Sequence, residues 1–407
     1  MQQRLIVIGG GAAGFFCAVN AARLNPSLKV TIVEKTGKLL SKVKVSGGGR
    51  CNVTHACFEI PELVKRYPRG QTFLKKAFHW FNTTHTIDWF QERGVRLKTE
   101  ADGRMFPVTD SSQTIIDCLT READKYRVTV LMNCDVKNIA AENGQFLLTT
   151  GNGTTEVADY LCIAGGGYPK SSQFEWLQQT RHTIEAPVPS LFTFNMPGNK
   201  ITELMGVSVE SAAVKIMGSK LQEQGPLLIT HWGMSGPAIL KLSAWGAREL
   251  AAKDYSFEIQ VNWIPTYNEH TLREEWPYLR ERYAAQKINN KNPFGLPNRL
   301  WAYLLTLSEI QAHWNWADVT AKAQNQLIKN LSSQLFAVKG KTTFKEEFVT
   351  CGGIKLNEID ANTMESKLVP GLFFAGEVMD IDGVTGGFNF QNAWTSGWIA
   401  AKSIASK

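Results

Sequence analysis

The hydrophobic and polar positions fall into distinct regimes along the chain. Arg4-Leu5-Ile6-Val7-Ile8 is a short apolar run rich in β-branched residues, which predicts a buried strand. Gly9-Gly10-Gly11-Ala12-Ala13-Gly14 follows as a tight turn, and a helical pattern then continues to about Leu24, where Asn25-Pro26-Ser27 breaks it. Residues 29–34 read as a second buried strand that ends on an acid, completing a βαβ unit. Between 72 and 93 the residues Phe73, Phe78, Trp80, Phe81, Ile87, Trp89 and Phe90 predict one amphipathic helix. From 127 to 163 the pattern alternates as several short strands do, with turns at Glu142-Asn143-Gly144 and Gly151-Asn152-Gly153.

The character changes around Pro187 and Pro189. Residues 190–262 alternate like strands, and 266–333 become helical and polar, punctuated by Pro293 and Pro297. Trp276, Trp301, Trp314 and Trp316 in that stretch either pack a small core or line a lid. Arg280, Arg282, Lys287, Lys291 and Arg299 give it a solvated basic face or, as the sharper alternative, an anion or RNA surface. Leu372-Phe373-Phe374-Ala375 returns to a buried strand, and a final helix begins near Asn389.

Composition narrows the picture. A chain of 407 residues exceeds what one core supports, and 43% hydrophobic with 20% charged residues is ordinary for a globular protein. No apolar run is long enough to span a bilayer. Residues 1–4 lead directly into a core strand without a signal-peptide pattern, so a cytoplasmic location is expected. Seven cysteines, scattered and without a CxxC pair, predict reduced thiols, and no spacing suggests a metal site. The net charge of +7 is spread along the chain rather than gathered in a tail, so a small-molecule substrate is expected and neither nucleic acid nor membrane is the expected partner.

Gly9, Gly11 and Gly14 fit GxGxxG, with Ala13 inside the motif. The first glycine permits the turn, the second lets backbone approach a pyrophosphate and the third allows close helix–strand packing. Glu34, twenty residues beyond Gly14, suits a ribose diol. This motif does not separate FAD from NAD. In 46–54 a glycine triplet followed by Arg50 offers close backbone approach and a fixed guanidinium donor for a pyrophosphate or the flavin edge, and Asn52 offers an amide.

The run Ser46-Gly47-Gly48-Gly49-Arg50-Cys51-Asn52 resembles the signature of the BaiN/YhiN-like flavoproteins, also described as aminoacetone oxidase-like. So do 371–389 (Gly-Leu-Phe-Phe-Ala-Gly-Glu through Gly-Gly-Phe-Asn), 230–238 and 363–367. His55 departs from the Asn usual in that family. The resemblance implies a discontinuous Rossmann-type FAD-binding domain in an α/β fold, at 1–189 and 345–407. It is interrupted by a β-barrel-like substrate domain at 190–265 and 334–344 and a helical insertion at 266–333.

The implied non-covalent FAD contacts are Gly9, Gly11, Ala13, Gly14, Glu34, Lys35, Lys42, Ser46, Gly47, Arg50, Cys51 and Asn52. Ala164, Gly165, Gly376, Glu377, Asp380, Gly387, Phe388 and Asn389 complete the set. Among these, Cys51 is either redox-active or a packed small residue, and Asp380 either touches the cofactor or caps a turn. The helix after Gly386-Gly387 would aim its positive end at the flavin N1–C2=O edge. No second GxGxxG exists, so NAD(P)H, if used, visits transiently.

In the 230–238 motif Thr230, His231 and Ser235 are candidate substrate-facing groups, His231 being either an acid/base or a buried structural histidine. The expected activity is FAD-dependent oxidation or reduction of a small organic molecule by hydride transfer at flavin N5. The family's proposals include amine oxidation and reduction of conjugated steroid double bonds. The alternatives are flavin-dependent tRNA modification, motivated by the positive charge, and a non-catalytic flavin-bearing redox sensor.

Overall fold

The structure is a computed structural model, which describes residues 2–343 and 349–407. Cα packing divides the chain into two compact units, Met1–Ser190 with Phe344–Lys407, and Leu191–Thr343. The second boundary expected from sequence, at 344–345, lies outside the described residues.

The first unit is organised by a five-stranded parallel sheet in the order Leu372–Phe374, Tyr160–Ile163, Arg4–Ile8, Lys29–Val33, Thr129–Leu131. Ile8 lies opposite both Ile163 and Val33, so the carboxyl ends of the three central strands are level. The chain order reverses beside Arg4–Ile8, which makes its carboxyl end a topological switch point where ligands bind in open α/β sheets. Helix Ala12–Leu24 covers this strand and packs on the C-terminal helix Phe388–Ala405. Their backbones meet closely, since a Cβ at Gly397 would sit 2.7 Å from the Ala13 carbonyl oxygen. Phe16 fills the layer beyond, with ring centroids 4.5 Å from Trp89 and 5.2 Å from Trp394.

Two elements of this unit depart from a plain periodicity reading. The stretch expected as one helix over 72–93 is two, Gln71–Ala77 and Thr83–Gln91. Asn82 is the cause, because its side chain accepts the Thr84 N–H at 3.0 Å and restarts the helix as an N-cap. The glycine-rich segment at 46–54 emerges from a short helix, Ser41–Gly49, whose last residues leave helical geometry. The strands expected within 127–163 are present, and the turn at Asn143-Gly144 has both residues at positive φ (50° and 78°), as a two-residue hairpin requires.

The second unit holds a seven-stranded antiparallel sheet in the order Gln334–Lys339, Ser256–Asn262, Ser208–Ile216, Gln222–Thr230, Gly233–Ser235, Thr193–Asn195, Lys341–Thr342. Its first and last strands are separated only by Gly340, so the sheet closes on itself as a barrel. Two helices, Pro237–Trp245 and Ala247–Ala252, interrupt the expected run of strands. Pro237 stands in the first turn of the former, where its missing N–H and fixed φ favour helix initiation.

Helices Glu269–Arg282, Asn298–Leu307 and Ala321–Ser332 share one hydrophobic core with the barrel, and Trp276, Trp301 and Trp316 are buried in it. Core packing therefore accounts for these three tryptophans. Arg280 donates to the Ala317 carbonyl (2.5 Å) and Arg299 to those of Glu203 (2.7 Å) and Met205 (3.1 Å), which ties two of the expected free cations to backbone. Among the described residues no helix is long and apolar enough to cross a membrane.

Candidate functional site

The glycine turn after Arg4–Ile8 separates fold requirements from ligand requirements. Gly9 has φ +114°, and a Cβ there would lie 2.4 Å from the Ala164 carbonyl oxygen, while one on Gly14 would lie 1.9 Å from the Gly9 carbonyl oxygen. Packing alone demands both. A Cβ on Gly11 would meet nothing within 4 Å. Gly11 is also the N-cap of helix Ala12–Leu24, which has no side-chain cap and no acid in its first turn. Its unpaired N–H groups and positive dipole end thus face open space fit for an anion, as a pyrophosphate cradle requires.

Glu34 closes the side of this turn. One of its oxygens accepts the Gly10 N–H (2.8 Å) and the other accepts from Thr36 N–H (2.9 Å) and Oγ1 (2.8 Å). A cavity of about 600 Å³ opens here, with Gly9, Glu34, Lys35, Gly165, Tyr168 and Trp176 among its walls. The Lys35 ammonium stands 5.3 Å from the Tyr168 ring centroid. Position and size suit the adenosine half of a dinucleotide. Ala164, whose N–H donates to the Ile8 carbonyl (2.8 Å), and Gly165 carry the chain past Gly9.

The 46–54 segment turns through a left-handed run, Gly47, Gly48 and Gly49 having φ of 59°, 69° and 84° and Cys51 61°. Arg50 lies over the Phe106 ring, 4.0 Å from its centroid, and pairs with Glu100 at 2.6 Å. Cys51 is buried, and burial pushes its thiol up to about 12 against a hydrogen bond from Ser46. A thiol so held is a packing group rather than a nucleophile.

Asn52 is buried too. The orientation of its amide that satisfies both ends accepts the Gly387 N–H (3.0 Å) and donates to the Thr54 carbonyl (3.0 Å). Asn52 thereby joins this segment to the start of the C-terminal helix. Lys42 pairs with Glu377 at 2.5 Å, and Glu377 also accepts the Thr350 N–H at 2.9 Å.

The 376–389 segment is braced along its length. Gly376 N–H donates to Ser396 Oγ (2.8 Å), and the Asn389 amide bonds both the N–H (2.8 Å) and the carbonyl (2.9 Å) of Gly383. Asp380 donates its backbone N–H to the Ile354 carbonyl at 3.0 Å. Phe388 stacks on His55 with centroids 4.7 Å apart, and His55 Nδ1–H donates to the Gly386 carbonyl at 3.0 Å. Burial is the largest influence on this imidazole and pushes its pKa down.

Sequence reasoning missed Asp382 and Arg69. The Asp382 carboxylate is fully buried and receives both Nε (2.5 Å) and Nη2 of Arg69, with Ser190 Oγ as a third donor. Asp382 lies inside the 371–389 motif, but nothing near it in sequence points to Arg69.

These candidate cofactor residues all belong to the first unit. Thr230, His231 and Ser235 belong to the second, around the turn joining Gln222–Thr230 to Gly233–Ser235. His231 is exposed and its ring lies 3.7 Å from that of Trp232, which rules out the buried structural role. Ser235 is half-buried, and Thr230 Oγ1 donates to the Gly233 carbonyl at 3.2 Å. Among the described residues no group of three His, Cys, Asp or Glu could hold a metal ion.

Residues 3–403 match the family described as HI0933-like protein Rossmann domain. The chain belongs to this HI0933-like family. It is 32% identical to the ribosomal RNA dihydrouridine synthase of Escherichia coli (strain K12), over 98% of this chain and 97% of that protein. It is 23% identical to the 3-dehydro-bile acid delta(4,6)-reductase of Clostridium scindens, over the whole of both chains. Its fold is similar to that of the 3-ketosteroid-delta4-(5alpha)-dehydrogenase of Rhodococcus jostii RHA1, with a TM-score of 0.54 at 14% identity, covering 100% of this chain and 97% of that one. The chain is an FAD-dependent oxidoreductase with a Rossmann-type cofactor domain, and the family is the one its 46–54 and 371–389 motifs resemble.

Proposed function

We propose that this protein reduces a carbon–carbon double bond conjugated to a carbonyl, and that the bond is that of a uracil ring in ribosomal RNA. The observation that carries the reading is the 32% identity, over nearly the full length of both chains, to a ribosomal RNA dihydrouridine synthase. Dihydrouridine is uridine saturated at C5–C6, a bond conjugated to the C4 carbonyl. The name of the bile acid relative denotes the same chemistry on a different skeleton. This reading moves the partner from the small molecule expected from sequence to an RNA, and implies a cytoplasmic site of action.

When bound, FAD supplies hydride transfer at N5, with NAD(P)H as the source of the hydride. In this proposal Gly11 and the open start of helix Ala12–Leu24 hold the pyrophosphate, and Glu34 accepts from the ribose hydroxyls. The start of helix Phe388–Ala405, which lacks a side-chain cap, favours negative charge at the nearby ring edge. The buried Phe388, with the half-buried His55 stacked on it, helps exclude water from that edge. His231 and Ser235 are the proposed proton-donating and orienting groups toward substrate.

The second reading is reduction of a small enone, supported by the bile acid relative. Anaerobic stopped-flow separates the two. The enzyme is reduced with NADH or NADPH and mixed with unmodified ribosomal RNA transcript or with a steroid enone. Flavin re-oxidation by RNA, with uridine gaining two hydrogens by mass spectrometry, is expected. Re-oxidation by the enone alone would establish the second reading, and a purified protein that takes up no FAD would refute both.

A further inference from the structure

We infer that an exposed face built from helix Gln71–Ala77, the turn that follows it and the outer side of helix Phe388–Ala405 binds single-stranded RNA. The inference rests on the proposed RNA substrate and names the surface that would hold it. Trp80 is 42% exposed, and its Nε1 donates to Asn362 Oδ1 at 3.2 Å, which fixes the indole at the surface. The Lys402 ammonium stands 4.2 Å from the Trp80 ring centroid and 5.3 Å from that of Trp398. Trp398 in turn stacks on Phe81 with centroids 5.3 Å apart and an interplanar angle of 28°.

Lys75, Lys76 and His79 are exposed on the same helix and turn. Beside Trp80 lies a recess of about 800 Å³ whose walls include Gln71, Lys76, Asn357, Asn362 and Lys367. Among the described residues Asp360 is the only acid lining it, and its Oδ1 is turned to the N–H (2.8 Å) and amide (3.2 Å) of Asn362.

Arg93 pairs with Glu122, Lys98 with Asp110 and Arg4 with Glu156, whereas Lys75, Lys76 and Lys402 pair with no carboxylate among the described residues. Unpaired ammonium groups beside an exposed indole suit a phosphate backbone whose bases stack on aromatic rings. The wall of amide side chains offers donors and acceptors to base edges. A protein-docking face would instead centre on buried apolar and aromatic anchors. Trp398 is ten residues from the start of its helix, about 15 Å along the axis. A strand held on this face could therefore reach the end of the helix that the proposed function sets beside the flavin.

The test uses the FAD-loaded enzyme and a fluorescein-labelled oligouridylate, with binding followed by anisotropy across a salt series. Trp80→Ala should weaken binding about five-fold or more. Lys402→Gln should lower the slope of log affinity against log salt by about 0.7. Flavin absorbance and the rate of flavin reduction should be unchanged in both variants, which reports an intact fold. If the wild type binds and both variants bind equally well with the same slope, the surface is wrong while the RNA reading stands. If the wild type fails to bind at low salt, both fall. Equal competition by polyglutamate would overturn the assignment in favour of a generic polyanion face.

Discussion

Arg69→Met should destabilise the first unit strongly, by an amount that grows with pH. Arg69 gives two donors to a fully buried carboxylate, and the variant leaves Asp382 with Ser190 Oγ as its side-chain donor among the described residues. Breaking a buried ion pair from one side costs about 3–5 kcal/mol. The lower end applies here, because the Arg69 side chain is 15% exposed and water can follow its removal. For a unit of this size about 3 kcal/mol corresponds to a fall in Tm of roughly 6–12 °C.

Burial already pushes the Asp382 carboxyl above its usual value, with Arg69 pulling it back down. Without Arg69 it rises further, so the folded state holds a proton that the unfolded state has released. Stability then falls as pH rises from the ordinary carboxyl range through the raised value, and levels off above it. Thermal melts by circular dichroism and by flavin release, between pH 5 and pH 8 as the assay window, measure both effects. The double variant Arg69→Met/Asp382→Leu should recover most of the loss, since no buried charge remains. A Tm loss for Arg69→Met below about 2 °C, or one that does not change with pH, would refute the reasoning.

Gly11→Ala should fold with unchanged Tm as apoprotein yet lose FAD affinity, because its Cβ meets no protein atom but enters the proposed pyrophosphate space, whereas Gly14→Ala should lower the apoprotein Tm. Calorimetric FAD titration beside apoprotein melts checks both, and normal FAD binding by Gly11→Ala would remove the cradle assignment. His55 and His182 are both pushed down by burial, so the folded state binds fewer protons than the unfolded one. Stability should therefore be lost as pH falls below the ordinary histidine range, and His55→Gln/His182→Gln should flatten that part of the profile. Asn52→Ala should cost about 1–3 kcal/mol by stranding the Gly387 N–H and the carbonyl of the buried Thr54, read by chemical denaturation, with Asn52→Asp restoring only the acceptor half.

The strand–turn–helix–strand opening was legible because its turn and its periodicity are local. Gly14 packs within this βαβ unit, against the Gly9 carbonyl, whereas the carbonyl that crowds Gly9 belongs to Ala164, far along the chain. Gly11 was legible from the glycine spacing of the same turn, although no protein atom lies within 4 Å of where its Cβ would stand, so packing alone does not demand a glycine there. The break at Asn82 was hidden because apolar periodicity continues across it, while the side-chain cap that ends one helix and starts the next leaves that period intact. The helix at Pro237 was likewise masked by flanking strands of alternating pattern. Asp382 and Arg69 could not be paired from sequence, as 313 positions separate them and a buried acid looks like any other acid in a string. Asn52 was expected as a cofactor contact, and the bonds its amide makes to backbone at Gly387 and Thr54 lie beyond the reach of any spacing rule.

The way the barrel closes has a consequence for the order in which the protein can be made. Residues 334–342 supply the strand that seals the barrel, and every other strand of that sheet precedes them. The second unit is one uninterrupted stretch, so it holds all its pairing partners once Thr343 has left the ribosome. The first unit is in the opposite position. Its edge strand Leu372–Phe374 and the helix packed on Ala12–Leu24 are synthesised after the barrel, so the glycine turn at Gly9–Gly14 waits, without its helical partner, while more than 370 further residues are made. A nascent chain stalled just after Thr343 has cleared the ribosome should therefore carry a protease-resistant barrel attached to a protease-sensitive cofactor domain.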